Sequence, residues 1–299
     1  MDSLSFRDLA IGVCAAYSGR DPSFRTRLSF WIDVFGDRAI TSINTDDVED
    51  GIDALVRRGK LHHYPSGRKD RLDTGTLMTG RELAPSTINR HIAALGTFFK
   101  ELKRRRRLPR GFVSPMRGVS RQAESAGRVV SVTVEDVRRL VATCRLSRNA
   151  KLAAITAMAC TTGLRLGALQ ELRWNHVNLA ERFCDVARTK NGAPTRARFP
   201  EWVAEELRRI RPEVGEGSIP VFGRKQFRRA WQRALADAGL PDSWTFHHCR
   251  HIAASILAQS GANLPTIMQA LNHKTASMAL RYSHLNTSAL EQAITSAWN

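Results

Sequence analysis

The sequence predicts a mainly α-helical protein of two domains, the second α+β with a small β-hairpin or sheet. Three observations carry that prediction. Apolar residues recur at helical spacing through most of both halves. The period changes to a strand-like one only around residues 183–199. A stretch rich in Pro and Gly separates the halves. The 299 residues suit two domains at roughly 150 residues each. Hydrophobic residues make up 42% of the chain, enough for ordinary buried cores.

The elements follow in order. Phe24, Leu28, Trp31, Ile32 and Phe35 form a helical stripe that Gly36 stops. Thr45-Asp46-Asp47-Val48 opens the next helix with a cap and early acids, and Val48, Ile52 and Leu55 form its stripe. Residues 58–82, polar and Gly-rich, read as a long loop. Pro85-Ser86-Thr87 starts a third helix whose apolar face is Ile88, Ile92, Leu95, Phe98, Phe99 and Leu102. It ends in Lys103, Arg104, Arg105, Arg106 and Arg107, a run that suits a helix C-terminus and can also contact phosphate. Residues 108–131 hold Pro109, Pro115, Gly111, Gly118 and Gly127 with little periodicity, so the domain boundary is set near Gly127. The predicted division is 1–117, a linker at 118–130, and 131–299. Helical patterning resumes at Thr133-Val134-Glu135-Asp136 and again from Lys151 to Leu172. Phe183 to Thr189 and Thr195 to Phe199 are strand-like, and Asn191-Gly192 between them is a strong hairpin signal. Helices return from Pro200, with breaks at Pro212–Pro220 and Gly239–Pro241.

Charge narrows the partners. Lys and Arg outnumber Asp and Glu by 46 to 28, a net charge of +18, which points to a polyanion, above all nucleic acid. Both halves share it: residues 1–127 carry +7 and residues 128–299 carry +11. Two basic domains suit a grip on one duplex better than a single sticky arm. No apolar run reaches the ~18 residues of a membrane helix, and the opening MDSLSFRDLA lacks a signal-peptide core. The five scattered cysteines argue against a disulfide framework and for a reducing, cytoplasmic setting.

Several chemistries lack their residues. Thr162-Gly163-Leu164-Arg165-Leu166-Gly167 is no P-loop, and no dinucleotide fingerprint occurs. The second half has no carboxylate pairs at metal spacing. His247 and His251 lie one helical turn apart but without the Glu or further ligands of a zinc site, so no metal is expected. Cations able to surround a phosphate do recur: Arg165, Lys190, His247 with Arg250, and His273. The chain has three tyrosines, and Tyr282 alone lies in the second half. Cations around one tetrahedral phosphate, plus a phenol, can perform phosphodiester transesterification without metal.

In order and spacing, these segments resemble the tyrosine recombinase (phage integrase) family. The matching pieces are Thr161-Thr162-Gly163-Leu164-Arg165, Leu169 to Trp174, Thr189-Lys190, His247-x-x-Arg250-His251, Leu271-Asn272-His273 and Arg281-Tyr282-Ser283-His284. Ser86-Thr87-Ile88-Asn89-Arg90 and Phe98-Phe99 match the family's helical core-binding domain, and the likeness covers about residues 5–285. It implies a SAM-like core-binding domain followed by a catalytic domain, and a site-specific recombinase that cuts and rejoins DNA. Tyr282 would attack the scissile phosphate and form a 3′-phosphotyrosyl link. Arg165 and Arg250 would hold its non-bridging oxygens, helped by His273. Lys190 would protonate the 5′-hydroxyl leaving group, and His247 would assist proton movement. No cofactor is needed, because the exchange conserves bond energy.

DNA contacts are expected from Thr87, Asn89, Arg90 and the run Lys103, Arg104, Arg105, Arg106 and Arg107. The implied partner is double-stranded DNA in the cytoplasm, at the nucleoid. No separate arm-binding domain is expected ahead of the first half. Residues 286–299 can form a short helix with Leu290, Ile294 and Trp298 on one stripe. That stripe would dock on a neighbouring protomer, giving a dimer on a site and a tetramer in synapsis.

Two departures stand out. Ala168 replaces the family's usual acid, for which Gln170 or Glu171 could substitute, and Asn272 replaces a Gly. Asn tolerates left-handed backbone, so the second change is mild. The alternatives to a recombinase are a topoisomerase-like relaxing enzyme with the same nucleophile and a DNA-binding protein that has lost catalysis.

Overall fold

The computed structural model describes residues 5–19, 21–63, 76–124, 130–187, 194–212, 218–224, 226–282 and 295. The chain divides into two compact units, Met1–Ser125 and Ala126–Asn299.

In the first unit, α1 (Phe6–Ala15) has no counterpart among the sequence expectations. Ser5 caps it by accepting from the Asp8 N–H, and Phe6, Leu9, Ala10 and Val13 form its buried stripe. α2 (Phe24–Phe35) ends at Gly36, whose φ of 53° favours glycine. α3 (Thr45–Arg58) is capped one residue earlier than expected, by a reciprocal box between Asn44 and Asp47. The loop expected over 58–82 contains a short antiparallel ribbon, β1 (Leu61–His63) with β2 (Thr76–Met78). Too few residues pair for a period of two to show in the sequence. α4 (Pro85–Arg104) completes the unit with Pro85 in its first turn. Its stripe packs with Phe6, Leu28, Trp31 and Leu55 into one core.

In the second unit, a Thr133–Asp136 capping box opens α5 (Val134–Arg145). α6 (Leu152–Thr162) is buried on nearly every side, as expected of a helix apolar all round. The continuous helical pattern expected from Lys151 to Leu172 is interrupted. Gly163 turns left-handed at φ 63°, and α7 (Leu166–Glu171) begins after Arg165. A Cβ at Gly163 would collide with the Leu271 side chain, so close packing as well as φ requires glycine there.

A three-stranded antiparallel sheet follows: β3 (Val177–Asn178), β4 (Phe183–Val186) and β5 (Thr195–Arg198), in that order. Val186 pairs with Thr195, so the strand-like runs pair as a hairpin, while residues 188–193 lie outside the described residues. α8 (Glu201–Arg208), α9 (Arg228–Asp237), α10 (His248–Gln259), α11 (Leu264–Leu271) and α12 (Ser277–Leu280) follow. The segment 286–299 expected to form a docking helix falls outside the described residues, except residue 295. No helix among the described residues is long and apolar enough to cross a membrane.

Candidate active site

Arg250 organises the site. It sits in the first turn of α10, 7% exposed, where burial and then the Arg165 charge bring its pKa down to about 10. Its Nη1 donates to the Gly163 carbonyl at 2.7 Å, and its Nη2 donates to the Leu271 carbonyl. Those carbonyls lie two residues before Arg165 and two residues before His273. One buried guanidinium therefore ties the end of α6 to the end of α11 and brings both other groups beside itself. Asn272 makes the turn after α11 in left-handed backbone, φ 49° and ψ 53°, as expected of Asn in place of Gly. The cleft beside this tie is lined by Leu164, Arg165, Ala168, Thr195, Arg250 and Asn272.

Three histidines surround the tie, and each is held toward its neutral form. Burial lowers His247, helped by Arg250 and Arg165. Burial is also the first cause that brings His273 to about 4, followed by Arg250 and Arg165. Among the described residues, the Nδ1 of His273 is enclosed without a hydrogen-bond partner. His251 is brought to about 4 by burial, then by His247, His248, Arg281 and Arg250. An anion in the cleft offsets these positive charges and makes protonation easier.

Tyr282 follows α12 and is 2% exposed, packed among Ala253, Ala254, Ala258, Ile267, Leu271 and Ala279. Its Oη is 2.6 Å from the Nδ1 of His251. Burial raises the phenol's pKa, against the lowering effect of Arg281 and Arg250.

The structure thus gathers Arg165, His247, Arg250, His273 and Tyr282 in one region. Lys190 lies outside the described residues, although Thr195 at the base of its hairpin lines the cleft. Sequence reasoning gave no role to His251 or Arg281. The signal for His251 was its place next to Arg250 and one turn after His247, which had been weighed only as zinc spacing.

Among the described residues, neither expected substitute for the acid at Ala168 makes a hydrogen bond or ion pair with Arg165, although Glu171 lines the same cleft. Glu171 pairs with Arg224 at 2.9 Å, and Gln170 faces a separate cavity with Trp231 and Phe246. Among the described residues, no carboxylate pairs with Arg165.

The expected DNA-contact residues of the first unit separate into two groups. Asn89 is buried, not presented to a duplex. Its amide donates to the Gln122 carbonyl and to Glu124, and its Oδ1 accepts from the Gln122 N–H. It ties α4 to the chain before the boundary. Thr87 is half-buried and Arg90 exposed. Arg104 and Arg105 both pair with Glu101, whose carboxyl they hold at about 2. Lys103 and Arg106 line a groove with Lys100, Arg110, Phe99 and Phe112. Arg106 takes left-handed backbone, φ 53°, where the helix has ended.

Two arginines of this α+β unit, Arg165 and Arg250, line one cleft, and the buried Tyr282 packs on the same helices. The profile of the phage integrase family matches residues 131–289, more than half of the chain, and the chain belongs to that family. The integrase of Haemophilus phage HP1 is 29% identical over 230 residues, covering 76% of this chain and 64% of that protein. A shufflon-specific DNA recombinase of Escherichia coli is 27% identical, over 69% of this chain and 53% of the relative. The tyrosine recombinase XerC of Lactobacillus delbrueckii subsp. bulgaricus is 25% identical, over 73% and 78%. The chain thus spans less than two thirds of the first two relatives.

Among solved structures, the fold matches the Tn1549 transposon integrase in complex with transposon right end DNA. The TM-score is 0.70 at 16% identity, over 98% of this chain and 99% of that one. A lambda integrase dimer bound to a core site matches with a TM-score of 0.66 at 16% identity, over 95% and 79%.

Proposed function

We propose that this chain is a site-specific DNA recombinase that cuts and rejoins duplex DNA through a 3′-phosphotyrosyl intermediate on Tyr282. The observation that carries this reading is the double tie of Arg250 to Gly163 and Leu271. It brings Arg165 and His273 from distant segments beside Arg250, with Tyr282 packed against the same elements.

The residues divide the reaction as their chemistry dictates. Arg165 and Arg250 bind the non-bridging oxygens and stabilise charge that grows on them during attack. His273, with an unused buried nitrogen, supplies a further donor to the same oxygens. Tyr282 forms the bond to phosphorus as the bond to the 5′-oxygen breaks. Lys190, between the paired strands β4 and β5 in sequence, protonates that oxygen. A 5′-hydroxyl from a partner strand then reverses the step, so neither nucleotide nor metal is consumed.

The partner is a double-stranded recombination site, gripped by both units, in the compartment that holds the DNA. The names of the relatives, integrase and DNA recombinase, support this reading. The lambda neighbour, a dimer on its core site, supports assembly of copies on DNA. In that assembly, residues 286–299 join protomers into a dimer on a site and a tetramer in synapsis.

A nicked suicide substrate tests the chemistry. Loss of the short fragment past the nick should trap covalent protein–DNA complex with the full chain. Tyr282→Phe should trap none while binding DNA within a few-fold of the parent. A wild-type chain that binds the substrate without trapping would leave only a DNA-binding protein.

A further inference from the structure

We infer that His251 is a further catalytic residue, which holds the Tyr282 hydroxyl through Nδ1 and receives its proton during attack. This rests on Tyr282 being the nucleophile. Among the described residues, His251 is the only hydrogen-bond partner of that hydroxyl, at 2.6 Å. The phenol also belongs to an apolar cluster with Ala253, Ala254 and Ala258 of α10 and Ala279 of α12, and the charges of Arg281 and Arg250 act on it. A buried hydroxyl with one hydrogen-bond partner has its orientation set by that partner.

His247 is placed for a different task. Its ring centroid lies 5.4 Å from that of His251 with the planes at 89°. It feels the charges of Arg250 and Arg165, which belong to the cleft, while Tyr282 feels Arg281 and Arg250. The start of α10 thus presents two imidazoles one turn apart, His247 at the N-cap under the charges of Arg250 and Arg165, and His251 bonded to the phenol. The groups that face His251 are His247 at the N-cap of α10, His248 and Arg250 of α10, His273 after α11, and Arg281 and Tyr282 after α12. All the charged ones are cations, so an incoming phosphodiester favours protonation of His251 at the moment of attack.

The step balances. The proton leaves Tyr282 Oη for His251 Nδ1 as the Oη–phosphorus bond forms and the bond to the 5′-oxygen breaks. Lys190 gives that oxygen its proton. On rejoining, the 5′-hydroxyl gives its proton to the Lys190 amine as it attacks, the Oη–phosphorus bond breaks and His251 returns its proton to Oη.

The test uses the full chain with His251→Phe, His251→Asn and Tyr282→Phe. The amide of Asn reaches about as far as Nδ1 and keeps a hydrogen bond without a titratable base. Single-turnover trapping is measured against pH, with half-site affinity alongside. Tyrosine labelled at Cζ reports the Tyr282 hydroxyl by NMR, in a chain with three tyrosines.

His251→Phe should slow trapping by about 100-fold or more, the usual worth of a general base, with affinity unchanged. His251→Asn should restore the Tyr282 resonance and part of the rate. The slope of its acid limb should drop by one ionisation. Trapping by His251→Phe at or above the wild-type rate would overturn the assignment. So would a wild-type acid limb in His251→Asn, which decides the matter if the Phe variant does not fold. Covalent complex from Tyr282→Phe would instead sink the parent reading.

Discussion

The end of α4 and the cleft beside Arg250 are both rich in cations, yet they hold charge in opposite ways. At the end of α4, Lys103, Arg104 and Arg106 are exposed, and Arg104 and Arg105 are partnered by Glu101 on their own helix. Water and a neighbouring carboxylate keep these charges at little cost in stability. Beside the cleft, Arg250 is 7% exposed and bonded only to backbone carbonyls among the described residues. No carboxylate pairs with it among the described residues, and the nearby histidines are pushed toward neutrality first by burial and then by this charge. Exposed charge can serve many phosphates in turn. Buried charge of one sign is tuned for a single anion at a fixed place.

The sharpest way to break this comparison is Arg250→Ala. It should lower trapping of covalent complex by about 10³-fold, the scale of losing a charged transition-state donor. It should also destabilise the fold by about 1–3 kcal/mol for each carbonyl left unsatisfied. Thermal melting separates the two effects. Arg250→Lys should not rescue, because one ammonium cannot reproduce two directed guanidinium bonds. An Arg250→Ala chain with unchanged melting would show that the tie does not hold α6 to α11.

Lys190 tests whether a cation outside the Arg250 tie has a directed task. Lys190→Ala should be strongly impaired on an ordinary substrate. It should be largely rescued when the leaving group is a 5′-thiol, which needs little protonation. Arg250→Ala should gain nothing from the thiol. Equal defects of both variants on the two substrates would remove the distinction.

For the exposed group, the effect is smaller and spread over sequence. Lys103→Ala and Arg106→Ala should each weaken DNA binding uniformly and reduce the log–log salt slope by about 1. If ten phosphates are neutralised overall, the parent slope is about −9. Trapping rates at saturating DNA should be unchanged. Asn89→Ala should behave differently, lowering the melting temperature without altering the salt slope, because its amide is committed to residues 122 and 124.

The smallest expected effect concerns pH. His91 in the first core and His273 in the cleft are both brought to about 4, burial being the first cause. A histidine whose folded pKa lies below its unfolded value of about 6.5 binds fewer protons when folded. Its stabilising contribution is full above that value and is lost as pH falls toward 4. Both units should therefore melt at lower temperature in acid. DNA should offset this in the second unit alone, since an anion reaches His273 and none reaches His91 in its core. Equal protection of both units by DNA would contradict the contrast.

Much of the fold was legible because its signals are local. The Thr133–Asp136 box, the stop at Gly36 and the stripe of α4 each depend on residues within a few positions of one another. Local signals also misled where elements were short or interrupted: the β1–β2 ribbon read as loop, and Gly163 hid a break inside one apolar pattern. Within the site, residue types and order pointed to Arg165, Arg250, His273 and Tyr282, because few side chains can bind a phosphate or attack it.

By itself, then, the sequence determined which chemistry was available and roughly which segments were helical. The tertiary structure alone decided the partners. Arg250 meets carbonyls 87 and 21 residues away, and His251 meets a phenol 31 residues away. It also assigned Glu171 to Arg224 and turned Asn89 inward. Such pairings follow from how α6, α10 and α11 pack, a long-range outcome that no spacing along the chain encodes, because a hydrogen bond is set by distance in space.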